Sequence, residues 1–158
     1  MTPEFKEFPK IARLTREMVI TEKIDGTNAQ VFIADDGTIL AGSRTRWITP
    51  ADDNFGFAAW VEKNADELRN LGPGRHFGEW WGAGIQRKYG QDRKRFSLFN
   101  VSRWSEERPS CCDVVPTLYR GDFTTEAVDD TIAVLRDTGS MAAPGFMQPE
   151  GVIVFHLA

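Results

Sequence analysis

Cysteine and histidine are both scarce. The two cysteines, Cys111 and Cys112, stand side by side, so alone they frame neither a disulfide scaffold nor a metal knuckle. His76 and His156 are the only histidines, and the set does not read as a structural zinc site. No apolar run approaches the length of a membrane span. The opening MTPEFKEFPK lacks the apolar core of a signal peptide, which makes the cytoplasm the expected compartment. An excess of positive charge is missing too: 19 Lys and Arg against 23 Asp and Glu give a net charge of −4, which on its face argues against a nucleic-acid partner. Repeats and low-complexity linkers are absent. What remains is 158 residues, enough for one domain with a real core, in which 41% hydrophobic and 27% charged residues are ordinary globular proportions.

The distribution of charge says more than its sum. Between Arg75 and Arg108 lie Arg87, Lys88, Arg93, Lys94, Arg95 and Arg103, opposed only by Glu79, Asp92, Glu106 and Glu107. Such a band fits a phosphate footprint or a solvated charged loop equally well. Residues 18–34 read as two strands broken near Gly26, and DDG at 35–37 as a hairpin turn into TILAGS. DDNFGFAAWVEKNADELRNLG reads as one helix, capped by Asp52 or Asp53, closed at Gly72 and carrying Phe57, Trp60, Val61, Ala65 and Leu68 on one stripe. RHFGEWWG and FSLFNVSRW read as strands joined by an exposed basic connection, GAGIQRKYGQDRKR. A second helix spans Thr125 to Asp137, with Val128, Ile132 and Leu135 at helical spacing and Gly139 as its stop. PEGVIVFHLA closes the chain as a strand. The fold class is α+β, mainly antiparallel sheet.

At the first break stands TEKIDGTNAQ, residues 21–30. Lys23 lies at a strand end beside Gly26, which permits close backbone approach, and Asp25, which can accept a hydrogen bond. A lysine amine is a nucleophile once deprotonated and aimed, and desolvation or a neighbouring cation favours its neutral form. The same stretch also fits a solvated strand-end lysine followed by an Asp-Gly turn.

Five stretches taken in order extend the pattern: KIDGTN, then SRT at 43–45, FGEWWG at 77–82, FSLFNV at 96–101 and PEGVIVF at 149–155. Together they resemble the nucleotidyltransferase motifs of polynucleotide ligases and capping enzymes. KxxGTN and FGEWWGAGIQ are most similar to ATP-dependent RNA ligases of the RNA ligase 2-like family. The resemblance implies a nucleotidyltransferase (adenylation) fold over residues 1–158 and Lys23 as the nucleophile that becomes lysyl-AMP. It implies Glu22 at the adenine edge, Asn28 at phosphate or the RNA 5′ end, Arg44 at ribose or the RNA 5′-phosphate, Glu79 at ribose directly or through water, and Phe99 stacked on adenine. Asp25 and Gly26 complete the nucleotide-binding set, and Glu150 would hold Mg2+ or Mn2+. Arg87, Lys88, Arg93, Lys94 and Arg95 are candidate RNA contacts. Trp80, Trp81 and Trp104 are expected to pack. The implied cofactor is ATP with a divalent metal, and the implied partner is RNA with 5′-phosphate and 3′-hydroxyl ends, with no membrane involved.

Two departures qualify that set. Asp25 stands where several family members carry histidine, whereas aspartate is usual in DNA ligases and capping enzymes. The family also continues past the EGxV motif into a strand bearing a lysine pair, while this sequence stops at Ala158. The expectation is an adenylyltransferase domain incomplete at its C-terminal end and without a separate RNA-binding domain. The alternatives are a nucleotide- or RNA-binding remnant of impaired activity, or a DNA ligase or capping enzyme.

Overall fold

Strand-forming segments dominate the computed structural model, which describes residues 2–7 and 16–157. Ala158 of the expected last strand, and Met1 and residues 8–10 of the N-terminal stretch, lie outside the described residues. The strands are β1 (Glu17–Lys23), β2 (Thr27–Ile33), β3 (Ile39–Ser43), β4 (Trp47–Ile48), β5 (Gly74–Gly82), β6 (Lys94–Leu98), β7 (Asp113–Val114), β8 (Thr117–Asp122) and β9 (Gly151–Leu157). They form a three-stranded sheet in the order β8-β1-β9 and a six-stranded sheet in the order β4-β3-β2-β5-β6-β7. Every pairing is antiparallel except β6 with β7. The chain crosses from one sheet to the other between Lys23 and Thr27, within the KIDGTN motif.

The hairpin at DDG forms as its chemistry demands. Gly37 takes φ 89°, its N–H donates to the Ala34 carbonyl, and the Ala34 N–H donates to the Thr38 carbonyl. The helix expected over 52–72 is shorter and broken: α1 (Phe57–Lys63) and α2 (Ala65–Leu68) are followed by a 3-10 turn at Arg69–Leu71. Asp53 does cap it, accepting from the Ala58 N–H at 2.8 Å and the Ala59 N–H at 3.1 Å, but across Gly56 at φ 79°. Asp52 instead pairs with Arg46. FSLFNVSRW is not one strand. Asn100 accepts from the Arg103 N–H and starts a short helix, α3 (Val101–Trp104). The last helix, α4 (Thr125–Thr138), is capped by Thr124 and ends at Gly139 with φ 83°, matching expectation to one residue. β4, β7 and β8 have no counterpart among the expected strands; two are only two residues long and carry little periodic signal.

Consecutive strand residues face opposite ways, and β5 uses this to serve two cores. Trp80 packs with Val31, Phe57, Val61, Phe96 and Leu98, between the six-stranded sheet and its helices. Trp81 turns the other way, into a cluster with Ile24, Tyr89, Val115 and Ala143. Trp104 is buried as well.

Gly26 belongs to this second junction. A Cβ there would run into the Trp80 carbonyl oxygen and lie 2.8 Å from the Trp81 Cβ. The obstruction is backbone and cannot swing aside. Gly26→Ala is therefore expected to destabilise the fold by about 1–3 kcal/mol, the usual range for overpacking, read as a lowered midpoint in chemical denaturation.

Candidate active site

Register brings the motif residues to one place. Lys23, the last residue of β1, is paired with Gly151, the first of β9, so the preceding Glu150 lies beside it. Asn28 on β2 is paired with Glu79 on β5. Ala29 is paired with Ser43, which places Arg44 at the same end of the six-stranded sheet. Lys23, Asp25, Gly26, Asn28, Arg44, Glu79 and Glu150 all line one open pocket of about 320 Å³. Seven residues chosen from sequence therefore converge.

Lys23 Nζ is 3.1 Å from Glu150 Oε1. Asp25 Oδ2 is 3.3 Å from Arg87 Nε, and the same guanidinium donates to the Gln148 carbonyl at 3.0 Å. The Asp25 N–H donates to the Tyr89 hydroxyl at 2.8 Å. Arg87 and Tyr89 thus tie the segment following the lysine to the segment preceding Glu150. Burial pushes the Tyr89 hydroxyl up to about 12, so it stays protonated. GAGIQRKYGQDRKR is consequently not the wholly exposed connection expected. Ile85 and Tyr89 are buried in it, and Lys94 and Arg95 belong to β6. Tyr89 was legible only as the sole aromatic among those polar residues.

Glu79 is half-buried, and its carboxyl is pushed up to about 7, chiefly by burial and then by the negative charges of Glu150 and Asp25. Lys23 and the Gly26 N–H pull the other way and do not prevail. The sign of the stability effect follows. A carboxyl with a raised folded pKa stabilises most below its ordinary value of 4.5, and that contribution is lost as pH rises through about 7. Wild type should accordingly lose stability relative to Glu79→Gln between about pH 4.5 and just above 7 in metal-free buffer. Thermal midpoints of both proteins across that window check it; parallel curves would refute it.

Two expected nucleotide contacts stand elsewhere. Glu22 is fully buried on the opposite face of β1 from Lys23, because the strand alternates. Its carboxylate accepts from Ser140 Oγ at 2.7 Å, the Met141 N–H at 2.6 Å and the Ala142 N–H at 3.0 Å. Phe99 lines a neighbouring inter-sheet groove with Val19, Phe77 and Phe155 and packs against the Trp81 cluster. The candidate RNA contacts divide as well. Arg87 is tied down as described. Arg95 pairs with Asp113 at 2.9 Å and lies over the Trp81 ring. Lys88 and Arg93 are exposed, and Lys94 is partly so.

Among the described residues, no group of three or more His, Cys, Asp or Glu side chains is gathered closely enough to hold a metal by itself. The donor set nevertheless suits a hard cation. Carboxylates of Asp25, Glu79 and Glu150 face one pocket and repel one another, and Mg2+ or Mn2+ takes only one or two such oxygens, leaving the rest to water and phosphate.

The profile of the RNA ligase family matches residues 16–154. The chain belongs to the RNA ligase family. Solved structures of Naegleria gruberi RNA ligase share its architecture. A lysine variant with ATP and Mn superposes with a TM-score of 0.67 at 21% identity, covering 90% of this chain and 47% of that one. A second lysine variant, with AMP and Mn, gives 0.67 at 20%, and the ligase with PPi gives 0.65 at 21%, with the same coverages. At such identity the likeness carries the fold, which is the α+β nucleotidyltransferase fold of RNA ligases. The chain spans about half the length of those solved relatives. No helix among its described residues is long and apolar enough to cross a membrane.

Proposed function

We propose that the chain is the adenylyltransferase domain of an ATP-dependent RNA ligase, with Lys23 as its nucleophile. The observation that carries this reading is the convergence of Lys23, Glu150, Glu79, Asn28 and Arg44 on one pocket from five separate strands or their ends. The Lys23 nitrogen attacks the α-phosphorus of ATP, the bond to the β-phosphate oxygen breaks, and pyrophosphate departs with the electron pair. Glu150, in contact with the ammonium, is the base within reach of its proton. Asn28 and Arg44 bind phosphate oxygens, and Glu79 holds the ribose. Mg2+ or Mn2+ held by Glu150 would neutralise charge on the phosphates and favour the uncharged amine. Phosphoryl transfer is mainly positioning and charge neutralisation, which is what such a pocket supplies. AMP then passes to an RNA 5′-phosphate, and a 3′-hydroxyl displaces it as the strand is joined. Lys88 and Arg93 remain exposed for the RNA backbone.

Incubating the chain with ATP labelled at the α-phosphate tests the reading. A covalent, acid-labile adduct formed with ATP in preference to GTP or NAD supports it. ATP binding without pyrophosphate release would instead favour a non-catalytic binding domain.

A further inference from the structure

The face of the six-stranded sheet that supplies Asn28 to the Lys23 pocket continues beyond it. Strand residues alternate, so Asn28, Gln30 and Phe32 of β2 share that face while Val31 and Ile33 turn into the core. Register extends it sideways: Gln30 is paired with Gly42 of β3, Gly42 with Trp47 of β4, and Phe32 with Arg75 of β5. Gly42 leaves room for the indole to lie against the sheet, since a Cβ there would be 2.7 Å from Gln30 Cγ and 3.2 Å from Trp47 Cε3. The Phe32 and Trp47 ring centroids are 6.0 Å apart. The Arg75 guanidinium carbon lies 5.3 Å from the first and 5.5 Å from the second. Neither ring belongs to a core cluster, and Trp47 is 47% exposed. Among the described residues, neither Arg75 nor Arg44, at the pocket end of this face, forms an ion pair.

We infer that Trp47, Phe32 and Arg75 form a stacking platform for single-stranded RNA, holding the bases that follow the 5′-phosphate being activated. This rests on the adenylyltransferase reading and adds a substrate class to it, an unpaired strand. Aromatic rings and a guanidinium plane stack on bases of any sequence, and cations without carboxylate partners meet the phosphates between them. Bases inside a duplex offer no free faces, so such rings engage only bases that are out of the stack. The face is continuous with the reacting site. From Asn28 to Phe32 the strand runs about 13 Å, the rise of roughly four stacked nucleotides. A strand whose terminal phosphate meets Asn28 and Arg44 therefore carries its next bases over Gln30 and Gly42 to the aromatic pair. The fold itself does not require the platform, because the core is filled from the other face of β2.

Fluorescence anisotropy with a 5′-phosphorylated single-stranded oligoribonucleotide, and with a blunt duplex of the same sequence, tests the platform. Trp47→Ala should weaken single-strand binding by about five- to a hundred-fold, the loss of one stacked base, and leave duplex binding within about two-fold. Trp47→Phe should restore most of the loss, because a ring is kept. Arg75→Gln should flatten the fall of log affinity with log salt by about 0.7, the share of one phosphate on a single strand. Arg75 is exposed, so its variant reports on the same surface even if Trp47→Ala does not fold. A folded Trp47→Ala protein that binds the single strand as tightly as wild type, or that loses single strand and duplex equally, overturns the platform. Wild type that binds no single strand also overturns it and leaves this face to a protein partner. The adenylyltransferase reading fails separately, in the reaction with ATP alone, where no RNA is present.

Discussion

Lys23→Ala is expected to abolish the covalent adduct with ATP, lowering its rate of formation by at least ~10³-fold, the consequence of removing a nucleophile. Loss of the adduct after alanine substitution alone would be ambiguous, because the same change deletes the cation that pairs with Glu150 at 3.1 Å. Lys23→Arg separates the two. Arginine keeps the positive charge beside Glu150, but a guanidinium stays protonated at every working pH and cannot attack phosphorus. Both variants should therefore be equally inactive, whereas a purely electrostatic role would leave arginine substantially active. Neither change should disturb folding, because Lys23 is half exposed and exposed ion pairs contribute little. Thermal midpoints within a few degrees of wild type would show that the lost adduct reports chemistry. An adduct persisting in either variant would move the nucleophile to another side chain and remove the central support of the proposed function.

How much of this was legible in the sequence depended on whether a local rule decided the outcome. The hairpin at Gly37, the stop at Gly139 and the burial of Trp80 and Trp81 follow from turn chemistry and strand period. The convergence of Lys23, Asn28, Arg44, Glu79 and Glu150 is non-local. Strand register alone effects it, and the ordered family motifs stood in for that missing information. Where tertiary contacts overrode local character, the reading failed. The connection through residues 83–93 looked solvated because it is rich in charge. Ile85 and Tyr89 nevertheless anchor it, Tyr89 against the segment that follows Lys23, and Gln86, Lys88 and Tyr89 adopt positive φ to make that path. Most of the basic band is likewise engaged internally: Arg103 donates to the Leu71 carbonyl, and Arg108 to the carbonyls of Trp104, Ser105 and Cys112. A count of charges cannot show which of them have partners.

Glu22 is the clearest instance of that limit and bears the second large effect. Family resemblance put its side chain at the adenine edge, and adjacency to Lys23 made this attractive. In a strand, adjacency means the opposite face. There Glu22 is fully buried, both of its oxygens accept, and three donors from residues 140–142 converge on it. Ser140 Oγ is itself held in place, accepting from the Ala143 N–H at 3.0 Å. The carboxylate thus fixes the chain emerging from α4 against β1. Glu22→Ala would leave buried donors unpaired beside a new cavity, with an expected loss of about 3–5 kcal/mol. That corresponds to a fall in thermal midpoint on the order of 10 °C for a chain of this size. Glu22→Gln should lose less, because one oxygen still accepts while the new NH2 faces donors that it cannot satisfy. The discriminating measurement is stability alone, without nucleotide. An adenine-edge residue would alter AMP affinity and leave the unfolding midpoint in place, whereas a structural anchor lowers the midpoint whether or not nucleotide is bound. An unshifted midpoint in Glu22→Ala would return this side chain to the nucleotide and put the packing of residues 140–142 in question.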